Sequence, residues 1–336
     1  MLLSWTPRLR LKAQNKCAPN QRRRRLRQNV DVQLPVVALT GATASGKTSL
    51  AVRLALDLQS QGRPAEIVNA DSMLVYRGMD IGTAKPSLSE RCGVPHHLID
   101  ILDVRETASV AEFQRLARQA IADCRARGVI PILVGGSALY LRAILDVFEF
   151  PGTEPAVRAR WQARLDAEGP EALHRLLAER SPAASRVLAG NGRRIVRALE
   201  VLELTGSFSA TLPSWTYAVD GVRAFALALP RDGMDARIEA RVHQMWREGL
   251  VAEVRGLLDN GLREGLTASR ALGYRQVIEL VDGRCTEQQA IDATINGTRR
   301  FARKQLGWFR RDPRLVWLPA SDDRNVERIV QDTLGT

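Results

Sequence analysis

The sequence predicts an α/β fold in which helices flank a parallel sheet and a small all-helical subdomain is inserted. From Pro35 onwards, short apolar runs alternate with segments whose apolar residues recur at helical spacing. Such alternation is typical of a parallel sheet covered by helices. Strand signals then stop after Phe150, and residues 151–190 are polar and helical throughout. This interruption indicates the inserted subdomain.

Five apolar runs are the predicted strands. Four lie in the N-terminal half, at residues 35–40, 65–70, 97–102 and 129–136, and a fifth at 222–230 rejoins the sheet. The runs are short and apolar, and several are rich in the β-branched residues that strands favour. The sheet is therefore expected to draw on both halves of the chain.

Helical spacing of apolar residues predicts helices at 48–58, 110–128 and 192–206, and the last two end at a glycine. The pattern is helical again from Asp235 to about Phe309. The predicted catalytic core therefore combines a strand-rich first part with a helical last part.

The distribution of charge and the helical pattern of residues 151–190 divide the chain into a tail, a core and an insert. Nine basic residues against one acid give residues 1–34 a net charge of +8, which leaves about +4 of the chain's +12 for the rest. The high pI is therefore weak evidence that the folded body binds nucleic acid. The predicted core comprises residues 35–150 and 191–330, and the insert comprises 151–190. We expect the tail to be disordered, although its composition is also loosely similar to a mitochondrial presequence.

The cysteines and the hydropathy of the sequence indicate the cellular compartment of the protein. Cys17, Cys92, Cys124 and Cys285 are far apart and form no CxxC pair, which argues against a disulfide framework or a zinc site. No apolar run approaches the roughly 20 residues that a membrane-spanning helix needs. The sequence therefore predicts a cytoplasmic protein that does not enter a membrane.

A Gly-rich turn carries the most specific chemistry. Residues 41–48 read GATASGKT, which fits G-x-x-x-x-G-K-[ST] and lies between a predicted strand and a predicted helix. In such a P-loop, backbone N–H groups face an anion, the lysine neutralises phosphate oxygens and the hydroxyl binds Mg²⁺. The motif predicts a P-loop NTPase-like fold that binds a diphosphate or triphosphate, with Thr48 as the Mg²⁺ ligand. The predicted binding residues are Gly41, Ala42, Thr43, Ala44, Ser45, Gly46, Lys47 and Thr48.

Two further polar residues follow predicted strands and should lie beside the P-loop, because ligands bind at the carboxyl ends of parallel strands. Asp71 follows the second strand, and Ser137 follows the Gly135-Gly136 pair after the fourth. Asp71 is a candidate general base or Mg²⁺-linked carboxylate, and the alternative is that it caps a turn. Ser137 either donates a hydrogen bond to a substrate or caps the next helix, and the residues alone leave both open.

Four other polar residues give weaker signals. His96 and His97 lack metal-ligand spacing and are interpreted as structural. Asp100 is weakly similar to a Walker-B carboxylate, and Lys85 either reaches phosphate or is solvated.

Three clusters of arginine indicate a nucleic-acid surface, since arginine suits phosphate and stacks on bases. They lie at residues 193–197, at 270–275 and within TRRFARKQLGWFRR at 298–311. Each cluster alone can equally be a solvated basic face.

Several segments resemble the motifs of the tRNA dimethylallyltransferases, also called tRNA isopentenyltransferases, and follow one another in the same order along the chain. The resemblance runs from about Val36 to Leu318, and its most specific part is MDIGTAKP followed by PHHLID. The segments are GATASGKT, NADSMLVYRGMDIGTAKP, VPHHLID, PILVGGSALYLRA, RRIVRALEV, RALGYRQ and TRRFARKQLGWFRR.

The resemblance implies transfer of a dimethylallyl group from dimethylallyl diphosphate to the exocyclic N6 amine of the adenosine 3′-adjacent to the tRNA anticodon, with release of diphosphate. It makes Asp71 the general base and places Ser137 where the family usually has threonine, so that the predicted catalytic residues are Asp71, Ser137 and Lys47. Arg241, or else Arg237, matches a family arginine on the diphosphate.

The resemblance also implies a set of tRNA contacts, and we expect a monomer. Ala42 for the family's proline and serine for threonine at 137 are the main departures, and neither removes a functional group. The implied contacts are Asp71, Ser72, Met73, Leu74, Ser137, Arg158, Arg193, Arg194, Arg197, Arg270, Gly273, Tyr274, Arg275, Arg299, Arg300, Arg303 and Lys304.

Two other functions are compatible with a P-loop by itself. One is a small-molecule kinase that uses ATP, and the other is a non-catalytic RNA-binding ATPase. A GTPase is disfavoured because no N-K-x-D follows the P-loop.

Overall fold

A computed structural model describes residues 34–209 and 213–335. The predicted tail, apart from Leu34, and Cys17 lie outside the described residues. Within the described ranges, parallel strands form a single sheet. The strands are β1 (Val36–Gly41), β2 (Ala65–Asn69), β3 (His96–His97), β4 (Ile130–Gly135), β5 (Val222–Ala228) and β6 (Val316–Pro319).

The sheet has the order β3-β2-β4-β1-β5-β6, so the strand before the P-loop is central. Helices cover it, which confirms the predicted α/β class. The helices are α1 (Lys47–Ser60), α2 (Val110–Ala126), α3 (Ala138–Leu145), α4 (Pro155–Glu168), α5 (Pro170–Arg180), α6 (Gly192–Thr205), α7 (Arg231–Arg247), α8 (Leu250–Asp259), α9 (Tyr274–Val281), α10 (Glu287–Phe309) and α11 (Asn325–Leu334).

Both faces of the central strand are buried, as expected for a parallel sheet between helical layers. Val36 and Ala38 pack into one apolar cluster with residues of α2, α3, α8 and α9. Val37 and Leu39 point to the opposite face and pack with residues of α1 and α11. The alternation follows from the two-residue repeat of a strand, and it fixes the position of the loop that follows β1.

The third strand is much shorter than predicted. Only His96 and His97 pair with β2, whereas the sequence predicted a strand over 97–102. Leu98 and Asp100 have φ of 62° and 58°, a left-handed conformation that leaves the extended region. The prediction of a six-residue strand here was therefore wrong.

The edge strand β6 was not predicted. It has 4 residues, VWLP, and pairs with β5 at the edge of the sheet. An apolar run this short gives no periodic signal, so its position is set by pairing with β5 rather than by its own pattern.

The inserted helices have their own apolar core. Trp161 of α4 and Leu173 and Leu177 of α5 pack with Ile195 and Leu199 of α6. Because α6 contributes its buried face to this cluster, we place it with α4 and α5. The helical unit therefore extends beyond the predicted boundary at residue 190.

The carboxyl ends of β1, β2 and β4 lie together at one edge of the sheet. Thr40 pairs with Gly135, and Asn69 pairs with Val134, so the residues after each strand emerge side by side. This confirms the predicted neighbourhood of the P-loop, Asp71 and Ser137. Across the described part of the chain, the helices lack the combination of length and apolar character that crossing a membrane requires.

Candidate active site

The P-loop adopts a tight turn between β1 and α1. Gly41 and Gly46 have φ of 143° and 91°, conformations that glycine adopts without steric cost. Ala44, with φ of 60°, is held in a left-handed conformation that is unfavourable for a residue with a side chain. The turn leads directly into the N-terminus of α1, where backbone N–H groups lack intrahelical partners and attract anions.

The side chain of Lys47 reaches back across the P-loop. Its Nζ donates a hydrogen bond of 2.6 Å to the carbonyl of Ala42. Burial lowers the pKa of Lys47 from 10.5 to about 8, while the nearby charge of Asp71 raises it and that of Arg241 lowers it. Lys47 is therefore a cation whose charge is sensitive to what binds beside it.

Arg241 shares this environment. Burial lowers the pKa of Arg241, and the charge of Asp71 acts in the opposite direction. Its guanidinium lies 3.5 Å from the Thr43 hydroxyl, to which it donates. One carboxylate and two cations therefore lie close enough to influence one another.

Two cavities meet at these residues. The first has a volume of about 600 Å³ and is lined by the P-loop, Lys47, Thr48 and the glycines after β4. The second has a volume of about 410 Å³ and is lined by Ser72, Met73, Ser137 and Arg270, with an apolar wall from α7. Both cavities are lined by Thr43, Asp71, Thr83, Arg241 and Phe301.

The backbone around Asp71 orients its carboxylate. The main chain of Asp71 exchanges hydrogen bonds of 2.8 and 2.9 Å with the side chain of Asn69. The amide N–H of Met73 donates to Asp71 Oδ1 at 2.9 Å. Asp71 therefore does cap a local turn, as the alternative interpretation predicted. A carboxylate has two oxygens, so this bond is compatible with proton acceptance at the other.

Ser137 is placed for contact with a ligand rather than for capping. It occupies the N-cap position of α3, but its hydroxyl makes no capping hydrogen bond there, and its side chain lines the second cavity. The preceding Gly135 is required by close packing, because a Cβ at that position would lie 2.4 Å from the carbonyl oxygen of Ala70. The turn after β4 therefore rests directly on the segment that leads to Asp71.

The two candidate arginines differ in burial. Arg237 and Arg241 lie one helical turn apart on α7 and share a face. Arg237 is exposed and lines only the first cavity, whereas Arg241 is half-buried and lines both. Of the two, Arg241 is positioned to reach a group held between the P-loop and Asp71.

The predicted tRNA contacts differ in burial and in the partners that they already have. Exposed side chains include Arg158, Arg193, Arg194, Arg270, Arg275, Arg300, Arg303 and Lys304. Arg197 and Arg299 are committed to internal partners: Arg197 donates to Glu200 and to the Pro151 carbonyl, and Arg299 donates to Glu239. Ser72, Met73 and Leu74 are half-buried beside Asp71.

The placement of Tyr274 argues against its predicted contact with tRNA. Its side chain is fully buried, and its hydroxyl donates a hydrogen bond of 2.6 Å to Glu253. Burial and the adjacent carboxylate both raise the pKa of this phenol. We therefore correct its role to a structural one. Gly273, also buried, is the N-cap residue of α9 and has φ of 90°.

Sequence reasoning missed Glu253, which holds a loop against the site. Its carboxylate accepts the backbone N–H groups of Asp80, Ile81 and Gly82 at 3.1, 2.7 and 3.3 Å, in addition to the Tyr274 hydroxyl. The next residue, Thr83, lines both cavities. Glu253 lies in an ordinary helical pattern 172 residues from Ile81, one of its backbone partners, so no local signal could have identified it.

Lys85 and Asp100 stabilise the same loop rather than a phosphate. The Lys85 side chain is 3% exposed, and its ammonium donates to Asp100 at 2.5 Å and to Asp80 at 2.6 Å. A third bond of 2.8 Å goes to the Tyr76 carbonyl. Solvation, one of the two open alternatives for Lys85, is therefore wrong, because the ammonium is buried and paired with two carboxylates.

His97 belongs to an ion-pair cluster beside β3. Its Nε2 lies 2.7 Å from Glu66, and these residues and Cys124 bring donor atoms within 4.8 Å of one another. Arg127 donates two hydrogen bonds to the Glu66 carboxylate. These bonds, together with those from His97 and Cys124, lower the pKa of Glu66 to about 2. Because a guanidinium already neutralises this carboxylate, we interpret the cluster as structural.

Known proteins resemble this chain over most of its length. A family model described as IPP transferase matches residues 74–312. The tRNA dimethylallyltransferase of Kineococcus radiotolerans is 61% identical over 292 residues, covering 86% of this chain and 92% of that protein. That of Cutibacterium acnes is 57% identical over 310 residues, covering 91% of this chain and 97% of that protein.

A solved structure matches the fold as well as the sequence. The tRNA isopentenylpyrophosphate transferase of Bacillus halodurans has 38% identity and a TM-score of 0.64, with 90% of this chain and 95% of that chain covered.

Proposed function

The chain belongs to the IPP transferase family, and we propose that it transfers a dimethylallyl group from dimethylallyl diphosphate to tRNA. The acceptor is the exocyclic N6 amine of the adenosine on the 3′ side of the anticodon, and diphosphate is released. The enzyme is thus a tRNA dimethylallyltransferase.

One observation carries the proposal: Asp71 lies where an anion-binding cavity adjoins a second cavity. On one side are Lys47, Arg241 and the N-terminus of α1, which together suit a diphosphate. On the other side are Ser137 and Arg270, a hydroxyl and an exposed cation suited to a nucleotide. A carboxylate at this junction can reach a proton on an acceptor while the leaving group stays in the first cavity.

The reaction is a substitution at the allylic carbon. A bond forms between N6 of the adenine and C1 of the dimethylallyl group, and the bond from C1 to the diphosphate oxygen breaks with its electron pair on oxygen. The amine proton passes to the Asp71 carboxylate. Lys47 and Arg241 then stabilise negative charge that builds on the departing oxygens.

Magnesium fits the donor set on the diphosphate side. Thr48 is half-buried in the first turn of α1 and lines the same cavity as Lys47 and Asp71. We propose that its hydroxyl ligates Mg²⁺, which when bound neutralises charge on the diphosphate. Orientation of the substrates and removal of the proton are left to the protein side chains.

The acceptor base must leave its stack to reach Asp71, as in other enzymes that modify bases. The exposed arginines of α10 and of the segment before α9 suit the phosphates on either side of such a base. Arg270 is notable because it is exposed and also lines the second cavity. We propose that tRNA approaches from this side. We also propose that the enzyme acts as a monomer in the cytoplasm.

The decisive experiment incubates the protein with tRNA, dimethylallyl diphosphate and Mg²⁺ in the absence of ATP. We expect tRNA that has gained one dimethylallyl group on adenosine, detected by mass spectrometry of its nucleosides. Absence of modified adenosine would refute the proposal. Phosphoryl transfer from ATP to a small molecule would instead support the kinase alternative.

A further inference from the structure

Gln305 joins three parts of the site through its side-chain amide. It projects from α10 and is 6% exposed. Its Oε1 accepts the backbone N–H of Thr43 at 2.9 Å, and its Nε2 donates to the carbonyl of Gly136 at 2.7 Å. The P-loop, the turn before Ser137 and the basic helix are therefore connected at one residue.

The chemistry of this position is specific for an amide. A carboxamide both accepts and donates, whereas a carboxylate only accepts and an ammonium only donates. The approach is also close, because a Cβ at Gly136 would lie 2.6 Å from Gln305 Nε2. Both hydrogen bonds end on main-chain groups, so they set backbone positions rather than side-chain rotamers.

The two backbone groups hold residues on opposite sides of the reacting centre. Thr43 lines both cavities and accepts a hydrogen bond from Arg241. Gly136 is followed by Ser137, which lines the second cavity. A shift of Gln305 would therefore change the spacing between the diphosphate side and the acceptor side.

We propose that Gln305 is a positioning residue for the transfer reaction, fixing the entrance of the P-loop relative to the turn that carries Ser137. This inference rests on the proposed function. It differs from a tRNA contact, since Gln305 is buried while Arg300, Arg303 and Lys304 occupy the exposed side of the same helix.

The test compares Gln305→Leu and Gln305→Glu with wild type. Leucine removes both hydrogen bonds at similar volume, and glutamate keeps an acceptor for the Thr43 N–H but has no donor for Gly136. We expect kcat at saturating substrates to fall on the order of 100-fold for leucine, as for other small misplacements of reacting groups. Affinity for dimethylallyl diphosphate, measured by calorimetry with Mg²⁺, should fall about tenfold, a loss of about 1.4 kcal/mol.

The matched control is Gln288→Leu. Gln288 lies on the same helix, is exposed and bonds only to Asp292 among the contacts described for it. This variant should leave kcat and both affinities unchanged. Affinity for tRNA should remain within about twofold in every variant, because none of these changes removes an exposed basic residue of α10.

Two outcomes would overturn the proposal. One is a lower melting temperature for Gln305→Leu with normal kcat per folded molecule, which would mark a purely structural role. The other is a loss confined to tRNA affinity. If the leucine variant does not fold, Gln305→Asn, which keeps the amide but shortens its reach, replaces it and should show the same loss of kcat.

The binding arm separates this inference from the proposed function. Calorimetry with dimethylallyl diphosphate needs no turnover. A wild-type protein that modifies no tRNA would therefore refute the proposed function, while the affinities of the variants would still decide the role of Gln305.

Discussion

The depressed pKa of Lys47 predicts that binding of a prenyl diphosphate takes up a proton. Burial lowers this pKa to about 8, so about half of the lysines are neutral at pH 8. The ligand is already fully ionised there, because the second ionisation of a phosphate ester lies near 6. Its negative charge beside the ammonium favours the protonated form and raises the pKa again.

The magnitude follows from the fraction of neutral lysine in the free protein. The number of protons taken up per ligand bound should be about 0.1 at pH 7, about 0.5 at pH 8 and about 0.9 at pH 9. Since the bound state holds more protons, affinity falls as the pH rises, by up to about tenfold per unit above pH 8. Below pH 7 the affinity should be nearly independent of this group.

The assay is calorimetric titration with dimethylallyl diphosphate in pairs of buffers that differ in ionisation enthalpy. Lys47→Met should bind more weakly and abolish the uptake. Arg115→Met, which removes a charge from an exposed pair on α2 outside both cavity linings, should bind and take up protons like wild type. Wild-type binding without proton uptake at pH 8, or equal uptake by Lys47→Met, would refute the reasoning.

Three further predictions test the neighbouring residues. Asp71→Asn should lower the single-turnover rate by about 10² to 10⁴-fold while affinity for dimethylallyl diphosphate stays within about threefold; near-normal turnover would exclude Asp71 as the base. Arg241→Met should weaken that affinity at least about tenfold by calorimetry, and the assignment fails if Arg237→Met weakens it as much. Glu253→Gln should lower the free energy of unfolding by about 2 kcal/mol in urea titrations, because backbone N–H groups lose their carboxylate, and an unchanged midpoint would contradict this.

The sequence predicted the parts of the site that depend on local pattern. GATASGKT between a strand and a helix predicts a P-loop, and the parallel sheet then placed Asp71 and Ser137 beside it. The edge of the sheet could be predicted because parallel strands share a direction.

Features that depend on distant partners could not be predicted in this way. Gln305 contacts Thr43 across 262 positions of sequence, and the motif of neither residue indicates the other as its partner. The third strand was overestimated because apolar residues at 98–102 suit a strand by composition, while the left-handed residues among them interrupt it. Tyr274 was assigned to tRNA because its segment, RALGYRQ, resembles a family motif, and burial of its ring cannot be read from that motif.

Two motifs that look separate in the sequence form one structural unit. MDIGTAKP at 79–86 wraps its backbone N–H groups around the Glu253 carboxylate, and Tyr274 from RALGYRQ donates to the same carboxylate. Gly82 is required there, since a Cβ would lie 2.5 Å from the Tyr274 ring. The wall that this loop gives to both cavities is therefore set by α8 and α9, which follow the inserted helices in the chain. The catalysis that we propose at Asp71 would consequently depend on both halves of the core being folded together, although each half carries its own recognisable motif.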